Sequence, residues 1–245
     1  MRAVDGVLFD IDDTLVETRA AFRVALAAVL DRYVPGADVD VALAMWRADA
    51  GGHYRAYTRG ERTQREQRMT RANELHAALG GPVLDEDAYD AWDALFDDAF
   101  ASGWTAHADA DAVLVRLLDA GIRVGALTNA GHAHQTAKLA RVGLGERLEV
   151  LVGVDTLGYG KPDPRVFLEA CRRLGTAPDR TAYVGDELDV DAVAAQRAGL
   201  VGIWLDRPGP RRVPVTDAEI AAADVTVIHT LADLPGILTR PPTGT

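Results

Sequence analysis

The stretch VLFDIDDTL, residues Val7 to Leu15, predicts both the fold of this chain and the position of its chemistry. It begins as an apolar strand and then places three aspartates within four positions, at Asp10, Asp12 and Asp13. Like charges this close at the end of a buried strand repel one another and resist desolvation. Such crowding indicates a bound cation, because a hard divalent ion prefers oxygen ligands.

The rest of the chain divides into a long helical segment and a segment in which strands and helices alternate. Between residues 18 and 100 the apolar residues recur at helical spacing, and no strand is predicted there. After Trp104 four short runs, IRVGALTN, LEVLVGV, TAYVGDE and LVGIWLD, alternate with helical patterns. This alternation is typical of βα units and a buried parallel sheet.

We therefore predict an α/β fold, a doubly wound parallel sheet of the Rossmann-like kind with an inserted α-helical subdomain. Residues 1–16 and 104–240 form the predicted core, which carries the chemistry. Residues 17–103 form the predicted helical cap, and the chain crosses between the two near Val16–Thr18 and Ser102–Thr105.

Composition excludes several classes of partner. The chain has 245 residues and a net charge of −11, which argues against a general nucleic-acid binder and against docking on anionic membranes. We expect no targeting segment in the first residues, where acids interrupt the apolar run, and the single cysteine, Cys171, allows no internal disulfide. We expect a cytoplasmic protein, a monomer or homodimer, whose partner is a small molecule.

Polar side chains follow four predicted strands at their carboxyl ends, where ligands bind in an open parallel sheet. They are Asp10, Asp12 and Asp13, then Thr128 and Asn129, then Lys161, and finally Asp186 and Asp191. Carboxylates suit Mg²⁺, whereas lysine, hydroxyl and amide donors suit phosphate oxygens. The combination indicates phosphoryl transfer by positioning and charge neutralisation.

Four motifs in this order, DIDDTL, LTN, GKPDP and GDELDVD, resemble those of the haloacid dehalogenase-like hydrolase superfamily. The resemblance covers essentially the whole chain, and the helical insertion between the first two motifs resembles the superfamily's C1-type cap. It implies a Rossmann-like core, Mg²⁺ as the cofactor, and hydrolysis of a small soluble phosphomonoester through an aspartyl-phosphate.

The resemblance also implies a role for each matching residue. Asp10 would attack the phosphoryl group, and Asp12 would protonate the leaving oxygen and then activate water. Thr128 and the backbone of Asn129 would bind phosphate. Lys161 would neutralise Asp10 and the transferring group.

The implied metal site takes its residues from the first and the last of the four motifs. Asp186 would bind Mg²⁺ together with the carboxylate of Asp10 and the backbone carbonyl of Asp12. Asp191 would act either as a ligand or as a support for the ligands. Asp13 stands where many members have glycine, and the resemblance gives it no role.

Asp12 separates the branches of the superfamily. Its dehalogenases lack an aspartate two residues after the nucleophile, so Asp12 favours a phosphatase over a 2-haloacid dehalogenase. A sugar phosphomutase shares the first steps and stays an alternative. A non-catalytic binding protein is disfavoured because every catalytic position is intact.

The predicted cap carries six arginines between Arg55 and Arg71. From Arg59 onward they are three residues apart, so they turn around a helix and cannot all face one site. One interpretation is a solvated helix with i,i+4 pairs such as Arg62–Glu66. The other is that Arg55 and Arg59 bind the leaving group of the substrate.

Overall fold

The structure is a computed structural model that describes residues 4–209, 211 and 214–238. The chain divides into two compact units, Met1–Val16 with Ala106–Thr245, and Glu17–Thr105. The predicted end of the core at residue 240 lies outside the described residues. Among the described residues, no helix has the length and apolar character needed to cross a membrane.

The first unit is built on a parallel sheet of six strands in the order β5-β4-β1-β6-β7-β8. The strands are β1 (Gly6–Phe9), β4 (Arg123–Leu127), β5 (Val150–Val152), β6 (Thr181–Gly185), β7 (Val201–Leu205) and β8 (Thr226–Ile228). Two short strands, β2 (Val16–Glu17) and β3 (Thr105–Ala106), form a separate two-stranded sheet. The strand order grows outward from β1 in one direction and then in the other, which confirms the doubly wound fold.

Strand β1 lies at the centre of the sheet because its apolar run is buried on both faces. Val7, Leu8 and Phe9 have no exposed surface. Val7 pairs in parallel with Val124 on one side and with Ala182 on the other. A continuous apolar run, rather than an alternating one, is what a central parallel strand requires.

Helices follow the strands of the first unit. They are α6 (Ala110–Asp119), α7 (His132–Arg141), α8 (Pro164–Leu174), α9 (Ala194–Arg197), α10 (Asp217–Ala223) and α11 (Leu234–Leu238). Short 3₁₀ turns lie at Gly145–Arg147, Val154–Thr156, Pro178–Arg180 and Leu231–Asp233.

Local sequence signals fix the ends of α8. The Asp163 carboxylate accepts the backbone N–H of Arg165, Pro164 is the first helical residue, and Gly175 follows the last turn with φ of 70°. These are the cap, start and stop residues that a helix favours.

The segment DVDAVAAQRAG is not one regular α-helix. A π-helical turn, Leu188–Val193, precedes the short α9. The Asp191 carboxylate bends back to accept the N–H of Glu187 at 3.0 Å, and such wider turns are frequent at functional sites.

The second unit is helical, as predicted for the inserted subdomain. Its helices are α1 (Thr18–Tyr33), α2 (Val39–Ala48), α3 (His53–Thr58), α4 (Gln64–Leu79) and α5 (Glu86–Ser102). Aromatic side chains form much of its core, with the rings of Trp92 and Phe96 stacked at 5.0 Å.

The arginines of α4 are used mainly to join α4 to α5. Arg65 pairs with Glu86 and Asp90, and Arg68 pairs with Asp93 and Asp97, all at 2.5–2.8 Å. Glu66, which the sequence suggested as a partner of Arg62, completes a capping box with Thr63 at the start of α4. The hydrogen bonds from Thr63, and after them the charge of Arg62, lower the pKa of Glu66. These residues are therefore largely structural.

Candidate active site

Two aspartates lie at the point where the strand order of the sheet reverses. Asp10 follows β1 and Asp186 follows β6, and these strands are neighbours in the sheet. The N–H of Asp10 donates to the Val184 carbonyl at 2.8 Å, and the Trp204 indole donates to the Asp186 carbonyl at 2.9 Å. The site therefore occupies the crevice where doubly wound folds bind their ligands.

Lys161 is the centre of the buried part of the site. Its ammonium donates to Asp10 Oδ1 at 2.7 Å, to Asp191 Oδ1 at 2.6 Å and to the Tyr183 hydroxyl at 2.8 Å. Its three hydrogens thus have three acceptors. The Asn129 side chain fixes its backbone from both directions, since Lys161 N–H donates to Oδ1 at 2.7 Å and Nδ2 donates to the Lys161 carbonyl at 3.0 Å.

Asp191 reaches this cluster because Gly185 leaves room for it. A Cβ at Gly185 would lie 2.3 Å from Asp191 Oδ2, which is far inside contact distance. Asp191 accepts from Lys161 through Oδ1 and from the Glu187 N–H through Oδ2. Asp191 therefore orients Lys161 in addition to adding its own charge.

Three carboxylates converge in a way that suits a metal ion. Asp10, Asp186 and Asp191 each offer an oxygen, and these oxygens lie within 4.8 Å of one another. Their donor chemistry is the all-oxygen set that Mg²⁺ prefers. The residues present therefore fit a hard divalent cation.

The electrostatics of the cluster favour an added positive charge. Burial raises the pKa of Asp10 to about 7, with the charges of Asp191 and Asp12 adding to the rise and Lys161 opposing it. Burial likewise raises the pKa of Asp186 well above its ordinary value, helped by the nearby charges of Asp13 and Asp10. The single positive charge of Lys161 does not balance the negative charges of Asp10, Asp186 and Asp191.

Lys161 remains charged despite its burial. Although burial disfavours the ammonium, the carboxylates of Asp10 and Asp191 raise the pKa of Lys161 well above its ordinary value. The site thus holds one permanent positive charge directly against the side chain of Asp10.

Asp12 lies in a second polar cluster that connects it to Thr128. Asp12 Oδ1 accepts from the Lys138 ammonium at 2.5 Å, and Oδ2 accepts from Gln135 Nε2 at 2.7 Å. The same amide nitrogen is 3.0 Å from the Thr128 hydroxyl oxygen. Thr128 also accepts the N–H of Ala130 at 3.2 Å, so the hydroxyl is held at the carboxyl end of β4.

Asp13 takes a backbone role that the sequence left unassigned. Its φ is 58°, in the left-handed region that glycine enters freely and that aspartate tolerates better than most residues. Its N–H donates to the Val16 carbonyl at 2.7 Å. This turn follows immediately after Asp12.

Comparison with known families decides the classification. A model of haloacid dehalogenase-like hydrolases matches residues 4–199. The chain belongs to the haloacid dehalogenase-like hydrolases. The resemblance predicted from the four motifs is thereby confirmed, and with it the prediction of a hydrolase of this family.

Curated relatives of this hydrolase include two named phosphatases. It is 38% identical over 101 residues to the glyceraldehyde 3-phosphate phosphatase of Methanopyrus kandleri, covering 41% of this chain but less than half, 43%, of that protein. It is 31% identical over 202 residues to the phosphoserine phosphatase of Thermus thermophilus, covering 82% of this chain and 72% of that protein.

A solved structure shares both the fold and nearly the full length of this hydrolase. The HAD family hydrolase from Deinococcus radiodurans R1, solved with bound phosphate and sodium, has a TM-score of 0.70 and 25% identity. The match covers 96% of this chain and 95% of that one.

Sequence reasoning missed Gln135 and Lys138, which hold the side chain of Asp12. Both come from α7, and neither lies in one of the four motifs. The composition offered one signal for Lys138. The chain has only two lysines, Lys138 and Lys161, beside 24 arginines.

The two cap arginines proposed for substrate binding belong to the other unit of the chain. Arg59 forms a two-bonded pair with Glu61, at 2.6 and 2.7 Å. Arg55 lies in α3 with an exposed side chain.

Proposed function

We propose that this hydrolase is a Mg²⁺-dependent phosphatase of small phosphomonoesters that works through an aspartyl-phosphate on Asp10. The observation that carries the proposal is the arrangement around Asp10. Its carboxylate accepts from Lys161 at 2.7 Å, and oxygens of Asp10, Asp186 and Asp191 lie within 4.8 Å of one another. The phosphatase names of its relatives support the same reaction class.

The first half-reaction moves the phosphoryl group to the protein. A carboxylate oxygen of Asp10 attacks phosphorus, the bond from phosphorus to the ester oxygen breaks, and Asp12 gives that oxygen a proton. Lys161 offsets charge on the attacking group and on the phosphoryl oxygens. The Thr128 hydroxyl is a donor for one of those oxygens.

The second half-reaction frees the enzyme. Asp12, now ionised, takes a proton from a water molecule that attacks the aspartyl-phosphate, and inorganic phosphate leaves with Asp10 restored. The same carboxyl thus serves as acid and then as base. It therefore needs one fixed position throughout the cycle.

Mg²⁺ would be held by Asp10 and Asp186, with the backbone carbonyl of Asp12 as a further ligand and Asp191 beside them. When bound, it would neutralise the developing charge on the phosphoryl oxygens. Burial and the nearby charges of Asp13 and Asp10 raise the pKa of Asp186, and a bound cation would favour its ionised form.

A phosphate-release screen tests the proposal. Purified protein should release phosphate from sugar phosphates, phosphoserine and phosphoglycolate with Mg²⁺, and chelation should stop turnover. Asp10→Asn should be inactive, whereas Asp31→Asn, which changes an exposed aspartate of α1, should behave as wild type. Full activity of Asp10→Asn would refute the mechanism, and an isomeric sugar phosphate in place of free phosphate would identify a phosphomutase.

We also propose that Arg55 and Arg59 of the second unit bind the leaving group. Two cationic side chains in an acidic chain suit a leaving group that is anionic or rich in hydroxyls. Alanine at either position should raise KM for the physiological substrate and leave KM for p-nitrophenyl phosphate unchanged. Equal changes in both would exclude this role.

A further inference from the structure

Lysine is almost absent from this chain, and both lysines contact carboxylates of the motifs. Twenty-four of the 26 basic residues are arginines. Lys161 and Lys138 are 3% and 1% exposed, and their ammonium groups contact Asp10 and Asp12 respectively. Lys161 belongs to a known motif of the family, whereas Lys138 lies outside all four motifs.

Burying Lys138 has a cost that plain packing does not require. A lysine inside a protein needs a partner to offset lost hydration, and an apolar side chain would fill the same space without that penalty. The next residue of α7 is an example of such apolar packing, since Leu139 is buried. The Asp12 carboxylate, at 2.5 Å, is a partner that offsets this cost.

The two donors on α7 fix both oxygens of Asp12. Gln135 and Lys138 are three residues apart, so they share one face of the helix. Lys138 binds Oδ1 and Gln135 binds Oδ2. Two donors on two different oxygens prevent rotation of the carboxylate plane.

Part of the Asp12 side chain is exposed to solvent. The Asp12 side chain is 35% exposed, whereas Lys138 behind it is nearly fully buried. Gln135 has no exposed surface and also contacts Thr128. The clamp therefore holds the carboxyl from behind and leaves a side accessible to substrate and water.

We propose that Lys138 and Gln135 are positioning residues that hold Asp12 for its acid–base work. The inference rests on the proposed phosphatase function and on the role of Asp12 within it. It predicts that hydrolysis of the aspartyl-phosphate, which needs Asp12 to orient and deprotonate water, depends on α7.

The test separates the two half-reactions with p-nitrophenyl phosphate in rapid mixing. Nitrophenolate leaves without a proton, so its first release reports transfer to Asp10, whereas the later steady rate requires Asp12 as base. The variants are Lys138→Met and Gln135→Leu. Arg141→Met is the matched control, because it removes one positive charge from an exposed position on the same helix.

Lys138→Met should release close to one nitrophenolate per enzyme in a burst and then turn over about 10- to 100-fold more slowly than wild type, the range expected for a misplaced acid–base group. Gln135→Leu should show the same pattern, and Arg141→Met should match wild type. Thermal melting of each variant verifies folding, and the neutral Gln135→Leu provides the test if Lys138→Met does not fold.

Two results would overturn the inference: equal loss of burst and steady rate, as structural damage produces, or wild-type values for both. Failure of the proposed function has a different signature. In that case Asp10→Asn would retain turnover and no variant would show a burst.

Discussion

Removing the charge of Asp10 should stabilise the metal-free protein while it destroys activity. The pKa of Asp10 is raised to about 7, first by burial, so the folded protein favours the neutral carboxyl. Between its ordinary pKa near 4 and about 7, the folded state binds more protons than the unfolded state. Stability of the metal-free protein therefore falls as pH rises through that window. Asparagine resembles the neutral carboxyl and does not pass through this change.

The size of the effect follows from the shift in pKa. A shift of about 3 units, at about 1.4 kcal/mol per unit, disfavours folding by about 4 kcal/mol at pH 8, where Asp10 is ionised in both states. At pH 5 the folded carboxyl is already protonated, and the difference is about 2 kcal/mol. For a chain of this length the melting temperature changes by about 2–4 °C per kcal/mol. Asp10→Asn should therefore melt about 8 °C or more above wild type at pH 8 and about half that above it at pH 5.

Thermal unfolding in EDTA from pH 5 to pH 8 measures this directly. Asp31→Asn is the control, since it also removes an aspartate charge but at an exposed position. If Asp10→Asn melts at or below wild type at pH 8, or if the gap does not widen with pH, the electrostatic description of the cluster is wrong.

Three further changes probe the metal site and the helical unit. Mg²⁺ should raise the wild-type melting temperature at pH 8, because it binds the folded state preferentially. Asp186→Asn should remove that rise. If the variant shows the same rise, Asp186 is not a ligand. Gly185→Ala should lower phosphatase kcat at least about 100-fold, because a Cβ 2.3 Å from Asp191 must displace that carboxylate; near-normal kcat would contradict this. Arg68→Leu should reduce the free energy of unfolding in urea by about 3 kcal/mol, since Arg68 is nearly buried between two carboxylates. Arg65→Leu, at an exposed position, should reduce it far less, and equal losses would refute the distinction.

The sheet and the motif residues at its edge could be predicted from sequence because they depend on local patterns. Short apolar runs between helical patterns predict a parallel sheet, and the carboxyl ends of such strands meet at one edge. Asp10, Asp186 and Lys161 therefore could be brought together before any coordinates were known. The order of the strands in the sheet does not follow from these local patterns, and it was obtained from the structure.

Asp13 shows why one acid of the opening stretch resisted interpretation. Its φ is positive, and its charge also contributes to the raised pKa of Asp186. The available signal was the resemblance, which implies glycine at this position, and glycine adopts that conformation freely. A sequence that is examined only for charge does not reveal the positive φ of Asp13.

Gln135, Lys138 and the α4 arginines were not predictable for a different reason. Their partners lie far away in sequence, with Lys138 and Asp12 separated by 126 positions. Helical periodicity predicts which residues share a face but not which distant side chain that face meets. The i,i+4 pair suggested for Arg62 and Glu66 was chosen because only local partners are visible in a sequence.

The most direct test of the central claim is to identify the residue that carries the phosphoryl group. Protein mixed with substrate and Mg²⁺ is quenched in acid within the first turnover, digested, and examined by mass spectrometry. The mechanism predicts a phosphorylated peptide spanning Val7 to Leu15 with the group on Asp10, and a larger fraction of it in Lys138→Met. Phosphate release in the same reaction with no modification of Asp10 would contradict the mechanism.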